Sequence, residues 1–217
     1  MISILAGRKR NRRRAGAIAA LAQLCWLAAA AAQGVTIRPI VPAEDWLLLP
    51  EPKFMRPEVA APIPGSERTL MAAAYLHGGE VKLMSRREFE ALEVSWPEFR
   101  QRAAGNIMLR FEATRPEMIR DSDGSLQCML YRGDDRAIAA LLFAPGLRER
   151  FEPFFGPEQL VIVPRRSMLF VFPKLASRFE EFATDVLMAY NNAAYPVSRE
   201  VFEVNDNGLR AVGIFEQ

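Results

Sequence analysis

Runs of apolar residues separated by turn-forming residues dominate the chain from residue 66 to residue 217. Three pairs of these runs are joined by short turns containing glycine, proline or asparagine, which is typical of β-hairpins. A further apolar run at residues 126–132 predicts one more strand. The predicted hairpins pair 69–76 with 80–84, 159–163 with 167–172, and 201–204 with 209–214.

Apolar residues at helical spacing predict helices between these strands. Ser85 opens a short helix, and a capping box at residues 95–98 opens a longer one that buries Phe99, Ala103 and Ile107. Hairpins separated by helices predict an α+β domain, a mainly antiparallel sheet with helices packed on one face.

Two more helices follow the same rule. Ile138, Leu141 and Leu142 predict a helix that Pro145 ends, and a third helix is predicted over residues 175–190. We expect Phe179 and Phe182 to be mostly buried. The apolar face of that last helix is formed by Leu175, Phe179, Phe182, Val186 and Tyr190.

Seven prolines between Pro39 and Pro64 set the preceding stretch apart. Proline lacks a backbone donor, so the stretch is predicted to be neither a regular helix nor an interior strand. Residues 33–65 are interpreted as an extended tether to a single domain at 66–217. The apolar residues 46–49 are expected to dock on that domain; a partner-binding site is the alternative.

The first 32 residues are typical of a secretory signal peptide. Six basic residues at positions 8–14 precede an apolar stretch and a run of alanines ending at Ala32. Cleavage there would export the remainder to the periplasm or the extracellular space. An uncleaved anchor in the inner membrane is the alternative, because residues 15–32 are just long enough to span a bilayer.

Charge disfavours nucleic acid as a partner. Beyond residue 32 the chain has 22 Lys and Arg against 26 Asp and Glu, whereas nucleic-acid-binding domains normally carry a basic excess. The membrane is expected as a partner only if the leader is retained.

Residues suited to catalysis are few. His77 is the only histidine and is expected to be a solvated turn residue. Cys25 lies in the leader, which leaves Cys128 as the single thiol of the mature chain, and a cysteine in an apolar strand is usually buried and inert. The sequence shows no nucleophile elbow and no glycine-rich phosphate loop. We therefore assign no catalytic, cofactor-binding or metal-ligating residue, and no cofactor.

Three polar motifs have plain structural explanations. The segment 121–125 resembles the start of a calcium loop, but position 12 is Arg132 instead of glutamate, and a polar turn is expected. The tripeptide 132–134 spells Arg-Gly-Asp and is expected to be a turn ending in a helix cap. The pairs Arg86-Arg87 and Arg165-Arg166 would bind an anion only if several such groups converged.

Several local patterns lie between residue 96 and the C-terminus. They are Trp96 with Ala103, Ala104 and Asn106; Leu130-Tyr131-Arg132 with Asp135; Val163-Pro164 with Ser167 and Leu169; and Pro196-Val197-Ser198 with Phe202 and Gly208. Together they resemble the YtpQ-like family of uncharacterised bacterial proteins. That resemblance implies no activity, since the family has none established.

Two functions fit these observations. The first is an exported, non-catalytic module that binds or assembles with an envelope protein or cell-wall component. The second is an envelope hydrolase with paired carboxylates, which needs neither histidine nor cysteine. A deep cleft holding two close carboxylates would favour the hydrolase. The candidate carboxylates are Asp121, Asp123, Asp134 and Asp135.

Overall fold

Two antiparallel sheets and four α-helices organise the part of the chain that the computed structural model describes, residues 41–175 and 179–215. The predicted α+β class is confirmed. The predicted signal peptide lies outside the described residues. The strands are β1 (Trp46–Pro52), β2 (Ala60–Pro62), β3 (Thr69–His77), β4 (Glu80–Leu83), β5 (Glu117–Arg120), β6 (Leu126–Arg132), β7 (Gln159–Arg165), β8 (Met168–Pro173), β9 (Glu200–Asn205) and β10 (Gly208–Ile214).

The helices alternate with short 3-10 segments. Three of those segments lie at Ala43–Asp45, Lys53–Met55 and Ile138–Phe143, and a fourth at Phe179–Phe182 leads into the last helix. The α-helices are α1 (Arg86–Glu90), α2 (Trp96–Ala113), α3 (Leu147–Phe155) and α4 (Ala183–Asn191). None of the described helices combines the length and hydrophobicity needed to cross a bilayer.

The first sheet corrects the tether prediction. Strand β3 is its centre, with β1 on one side and both β2 and β4 on the other. All seven residues of β1 are buried, as expected for 46–49 alone. The extended tether is therefore wrong from residue 46 onwards, because the leucines of β1 are stabilised by burial and its prolines lie on an edge strand.

The second sheet contains the other predicted hairpins. Its order is β10-β9-β7-β8-β6-β5, with every neighbouring pair antiparallel. Hairpins β3–β4, β7–β8 and β9–β10 are confirmed, as is strand β6.

Elements pack on both faces of this sheet. On one face, side chains such as Val161 and Leu169 join β1, α2 and α3 in the main core. On the other face, Cys128, Ile162 and Phe172 pack with Val186 of α4.

The helix predictions are correct in part. Helix α2 buries Phe99, Ala103 and Ile107 as predicted, and Ser95 accepts the amide N–H of Glu98 at its start. Residues 138–143 instead form a 3-10 helix whose first five residues are all buried, and α3 behind it was not predicted.

The predicted helix 175–190 is too long. Leu175 is 94% exposed, and α4 begins only at Ala183. Phe182 is half-buried against the second core, and Val186 is fully buried. The side chain of Phe179 lies outside the described residues.

Gly65 brings the two sheets together at one point. The backbone N–H of Ala211 in β10 donates to the carbonyl of Pro64 at 2.8 Å. A Cβ at Gly65 would overlap the Ala211 carbonyl, and the residue has a left-handed φ of 73°. Glycine suits both constraints.

Candidate functional site

His77 and Cys128 lie in different sheets and do not form a catalytic pair. His77 is exposed at the end of β3, as predicted for a turn residue. Cys128 is fully buried within β6, and burial followed by the charge of Asp185 raises the pKa of its thiol to about 12. The thiolate needed for nucleophilic attack is therefore scarce at neutral pH.

The acidic segment 121–125 folds back on itself as a polar turn, as predicted. Oδ1 of Asp121 accepts the backbone N–H groups of Asp123 at 3.2 Å and Ser125 at 3.0 Å. Its Oδ2 accepts the side-chain amide of Gln127 at 2.6 Å. The described residues contain no group of three or more His, Cys, Asp or Glu side chains placed to hold a metal ion.

The Arg-Gly-Asp tripeptide also has structural contacts. Arg132 pairs with Glu117 at 2.8 Å. Next to the tripeptide, Asp135 accepts the backbone N–H of Ala137 at 2.8 Å and pairs with Arg110 at 3.0 Å. The predicted turn is confirmed, whereas the predicted cap is wrong, because the 3-10 helix at Ile138–Phe143 begins after Ala137 without a side-chain cap.

The four candidate carboxylates fall into two pairs at opposite ends of β6. Asp121 and Asp123 precede this seven-residue strand, and Asp134 and Asp135 follow it. At about 3.3 Å per residue the strand separates the pairs by roughly 23 Å. Paired catalytic carboxylates of glycosidases lie about 5–10 Å apart, so the two pairs cannot work on one bond.

A groove of about 740 Å³ lies where the start of α2, the segment before α3 and the β9–β10 turn meet. Its floor is apolar and includes Leu48, Met71 and Leu142, whereas its rim is polar. We call it the groove. Its polar rim includes Arg100, Gln101, Arg148, Glu149, Asn205 and Asp206.

The two carboxylates of the groove share one cation. Arg148 lies between them, with its guanidinium 3.2 Å from Glu149 and 3.2 Å from Asp206. A carboxylate pair for acid–base catalysis needs one member held protonated by its surroundings. Here a guanidinium lies between the two carboxylates and pairs with each of them, so this arrangement suits recognition better than proton transfer.

A second concavity, of about 360 Å³, gathers three arginines: Arg136, Arg165 and Arg166. We call it the arginine pocket. The sequence offered Arg165-Arg166 as an anion site only if such groups converged, and here they do. The remaining lining residues are Gly133, Asp134, Ser167, Ala193, Ala194 and Tyr195.

Tyr195 and Glu51 hold two of these arginines in place. The guanidinium carbons of Arg136 and Arg166 lie 4.7 Å and 5.1 Å from the centre of the Tyr195 ring, a cation–π distance. Nε of Arg166 also donates to the carboxylate of Glu51 at 2.7 Å, and both of these side chains are buried.

Glu200 is another buried carboxylate with several partners. Its oxygens accept hydrogen bonds from the hydroxyls of Ser66 (2.7 Å) and Thr69 (2.6 Å). They also accept the backbone N–H groups of Glu67 (2.8 Å) and Arg68 (3.1 Å). All four donors belong to the loop before β3 or its first residue, so Glu200 ties this loop to β9.

Sequence reasoning missed Arg136, Tyr195 and the groove. Arg136 and Tyr195 lie about thirty residues on either side of Arg165-Arg166, and no local pattern marks them. The one available signal was the arginine pair itself, directly before a hairpin turn.

No family model, curated protein or solved structure matches this chain. The resemblance to the YtpQ-like family therefore stays an expectation from local patterns, and function has to be argued from the geometry above.

Proposed function

We propose that this protein is an exported, non-catalytic binding module of the cell envelope, whose partner is an envelope protein or a cell-wall component. The leader pattern supports export, and the groove supports binding. Its volume is within the range of about 300–1,000 Å³ found for ligand sites. An apolar floor under a polar rim is also the common make-up of recognition surfaces.

The observation that carries this proposal is the position of Arg148 between the two groove carboxylates. It favours the binding module over the hydrolase, because each carboxylate is engaged in an ion pair with the same guanidinium. Contacts elsewhere agree: Asp121 closes its own turn, and Asp135 accepts the backbone N–H of Ala137 in another turn.

The test uses the full chain, expressed in cells with a photo-reactive amino acid at Gln101 or, as control, at Glu112. Both residues are exposed on α2, and they lie about 16 Å apart along its axis. Gln101 lines the groove and Glu112 does not. Illumination of intact cells is followed by mass analysis of the protein and its cross-linked products.

We expect a mature protein that begins near residue 33 and one envelope product cross-linked from position 101 alone. Equal cross-linking from both positions would contradict groove recognition. A mature form that retains the leader would instead favour a membrane-tethered assembly factor. Hydrolysis of the cross-linked component by the purified protein would favour the alternative enzyme.

A further inference from the structure

Arg165 is the least satisfied member of the arginine pocket. Its Nε is buried and has no hydrogen-bond partner among the described residues. Within residues 41–175 and 179–215 its guanidinium forms no ion pair, whereas that of Arg166 pairs with Glu51. The side chain is half-buried and its Nε–H is a buried donor without an acceptor, which is unfavourable, so a ligand that supplies an acceptor and a counter-charge to this guanidinium would bind with a gain.

The pocket holds its arginines ready before a ligand arrives. Arg166 is fixed by Glu51 and by the Tyr195 ring, and its backbone N–H donates to the Tyr195 carbonyl at 3.3 Å. The backbone of Arg165 forms a β-bridge with Pro196, the residue that follows Tyr195. The Tyr195 segment therefore anchors the backbone of both arginines and the side chain of Arg166, so little freedom of the Arg166 side chain remains to be lost on binding.

We propose that the arginine pocket binds a small oxyanion, the phosphate or carboxylate group of a ligand, with Arg165 as its main partner. Guanidinium groups present paired N–H donors that match the two oxygens of such a group. The proposal is independent of the groove, with which this pocket shares no lining residue.

Local charge limits how highly charged the ligand can be. Asp134 lines the same pocket, and Glu51 compensates Arg166 from behind. Arg136 lies 4.0 Å from Glu80, which is largely exposed. These three carboxylates equal the three arginines in number, so a singly charged anion at Arg165 fits better than a polyphosphate.

Calorimetric titration of the full chain tests this with two probes, inorganic phosphate and acetate, at ionic strength held constant with sodium chloride. We expect saturable binding of at least one probe. Arg165→Gln should weaken it about tenfold or more, since a charge-assisted bond is lost. Arg115→Gln, which removes an exposed arginine between α2 and β5, should leave the affinity unchanged.

A second pair of variants tests the pocket independently, in case Arg165→Gln does not fold. Ala194 is exposed and lines the pocket. Ala194→Glu should abolish binding by placing an anion in the pocket, whereas the neutral Ala194→Gln should retain most of it. Binding of phosphate alone, or of both probes, identifies the group recognised. Absence of saturable binding, or equal affinity in the Glu and Gln variants, would overturn the proposal.

Discussion

Two buried glutamates, Glu51 and Glu200, have pKa values that move in opposite directions. Burial raises the pKa of Glu51, and this effect exceeds the lowering by Arg166. Burial also acts to raise the pKa of Glu200, but the hydrogen bonds from Thr69, Ser66, Glu67 and Arg68 together outweigh it, and the pKa is lowered. The number of donors decides between the two outcomes.

Glu200 should therefore make the fold sensitive to acid. Because its pKa is lower folded than unfolded, its contribution is complete above the unfolded value of 4.5 and is lost as pH falls through the folded value. We expect Glu200→Gln to lower the free energy of unfolding by about 2–3 kcal/mol at pH 7, since the neutral amide loses charge-assisted bonds. Urea denaturation at pH 7 and at acidic pH measures both effects.

The pH dependence of the free energy of unfolding tests the role of the carboxylate more directly than the value at pH 7 does. Below pH 4.5 the difference between parent and Glu200→Gln should shrink, because the parent carboxylate takes up a proton. Glu112→Gln, at an exposed site on α2, is the control and should match the parent throughout. A difference that stays constant with pH would rule out the carboxylate network as its source.

Single residues with a local explanation were the easiest to predict. The turn position of His77 and the burial of Cys128 follow from immediate neighbours in sequence, and both are confirmed. The partners of Glu200 come from 131 to 134 residues away. No pattern around Glu200 indicates that they will meet.

Among the elements, β1 shows why proline content misled the prediction. A strand residue points both its backbone N–H and its C=O to the same side, and the side alternates along the strand. Lys53, directly after β1, donates its N–H to Arg68 beside β3, so odd-numbered residues here face β3. Pro50 and Pro52 therefore face the outer edge, where no ladder bond is lost.

We expect truncation of Phe182 to destabilise the packing of helix α4 less than truncation of a fully buried aromatic residue would. The Phe182 ring meets Phe172 edge-to-face at 5.1 Å but is only half-buried. We expect Phe182→Ala to lower the free energy of unfolding by about 2 kcal/mol, below the roughly 3–5 kcal/mol typical of a buried Phe. Thermal and urea denaturation measure the change.

Glu181→Ala is the matched control, since Glu181 is the exposed neighbour of Phe182. Its effect should stay within about 0.5 kcal/mol. If Phe182→Ala left stability unchanged but weakened binding to an envelope partner, this surface would be a docking face instead of part of the core.

Helical spacing identified the face of α4 but not its start. Phe182 and Val186 do lie toward the sheet, as the spacing predicts. Leu175 follows Lys174, whose ammonium group pairs with Glu158 and Glu203 beside β7 and in β9. These contacts keep the chain at the end of β8, so an apolar residue at the right interval was not enough to extend the helix.

At the scale of the whole molecule, the Glu51–Arg166 ion pair joins the two sheets. Glu51 belongs to β1, and Arg166 to the turn between β7 and β8. Removing one partner from a buried pair leaves an uncompensated charge, which typically costs about 3–5 kcal/mol. We expect Arg166→Met to lower the free energy of unfolding by that amount.

The double variant distinguishes the contribution of the paired charges from that of the side-chain volume. Glu51→Met combined with Arg166→Met should recover most of the loss, because two apolar chains of similar volume replace the pair. Arg102→Met breaks an exposed pair with Glu98 and should cost under about 1 kcal/mol. A double variant no better than Arg166→Met alone would contradict this account. Urea denaturation of all four proteins completes the comparison.

The fold class was predictable from the sequence, whereas the contacts that bring distant segments together were not. Hairpins arise from neighbouring residues, so β3–β4, β7–β8 and β9–β10 could be read from turn residues and periodicity. The two-sheet arrangement, the groove and the arginine pocket depend on contacts between distant segments. Short-range pattern carries no information about those contacts.

The 115 residues between Glu51 and Arg166 have a consequence for the timing of folding. Glu51 in β1 cannot pair with Arg166 until more than three-quarters of the chain has been synthesised. Contacts between such distant residues form slowly, because a large loop must close before they are made. Such a nascent chain would stay open while the proposed leader at residues 1–32 is recognised. For a protein that we propose to be exported, slow folding keeps the polypeptide able to cross the membrane as an extended chain until it has reached its compartment.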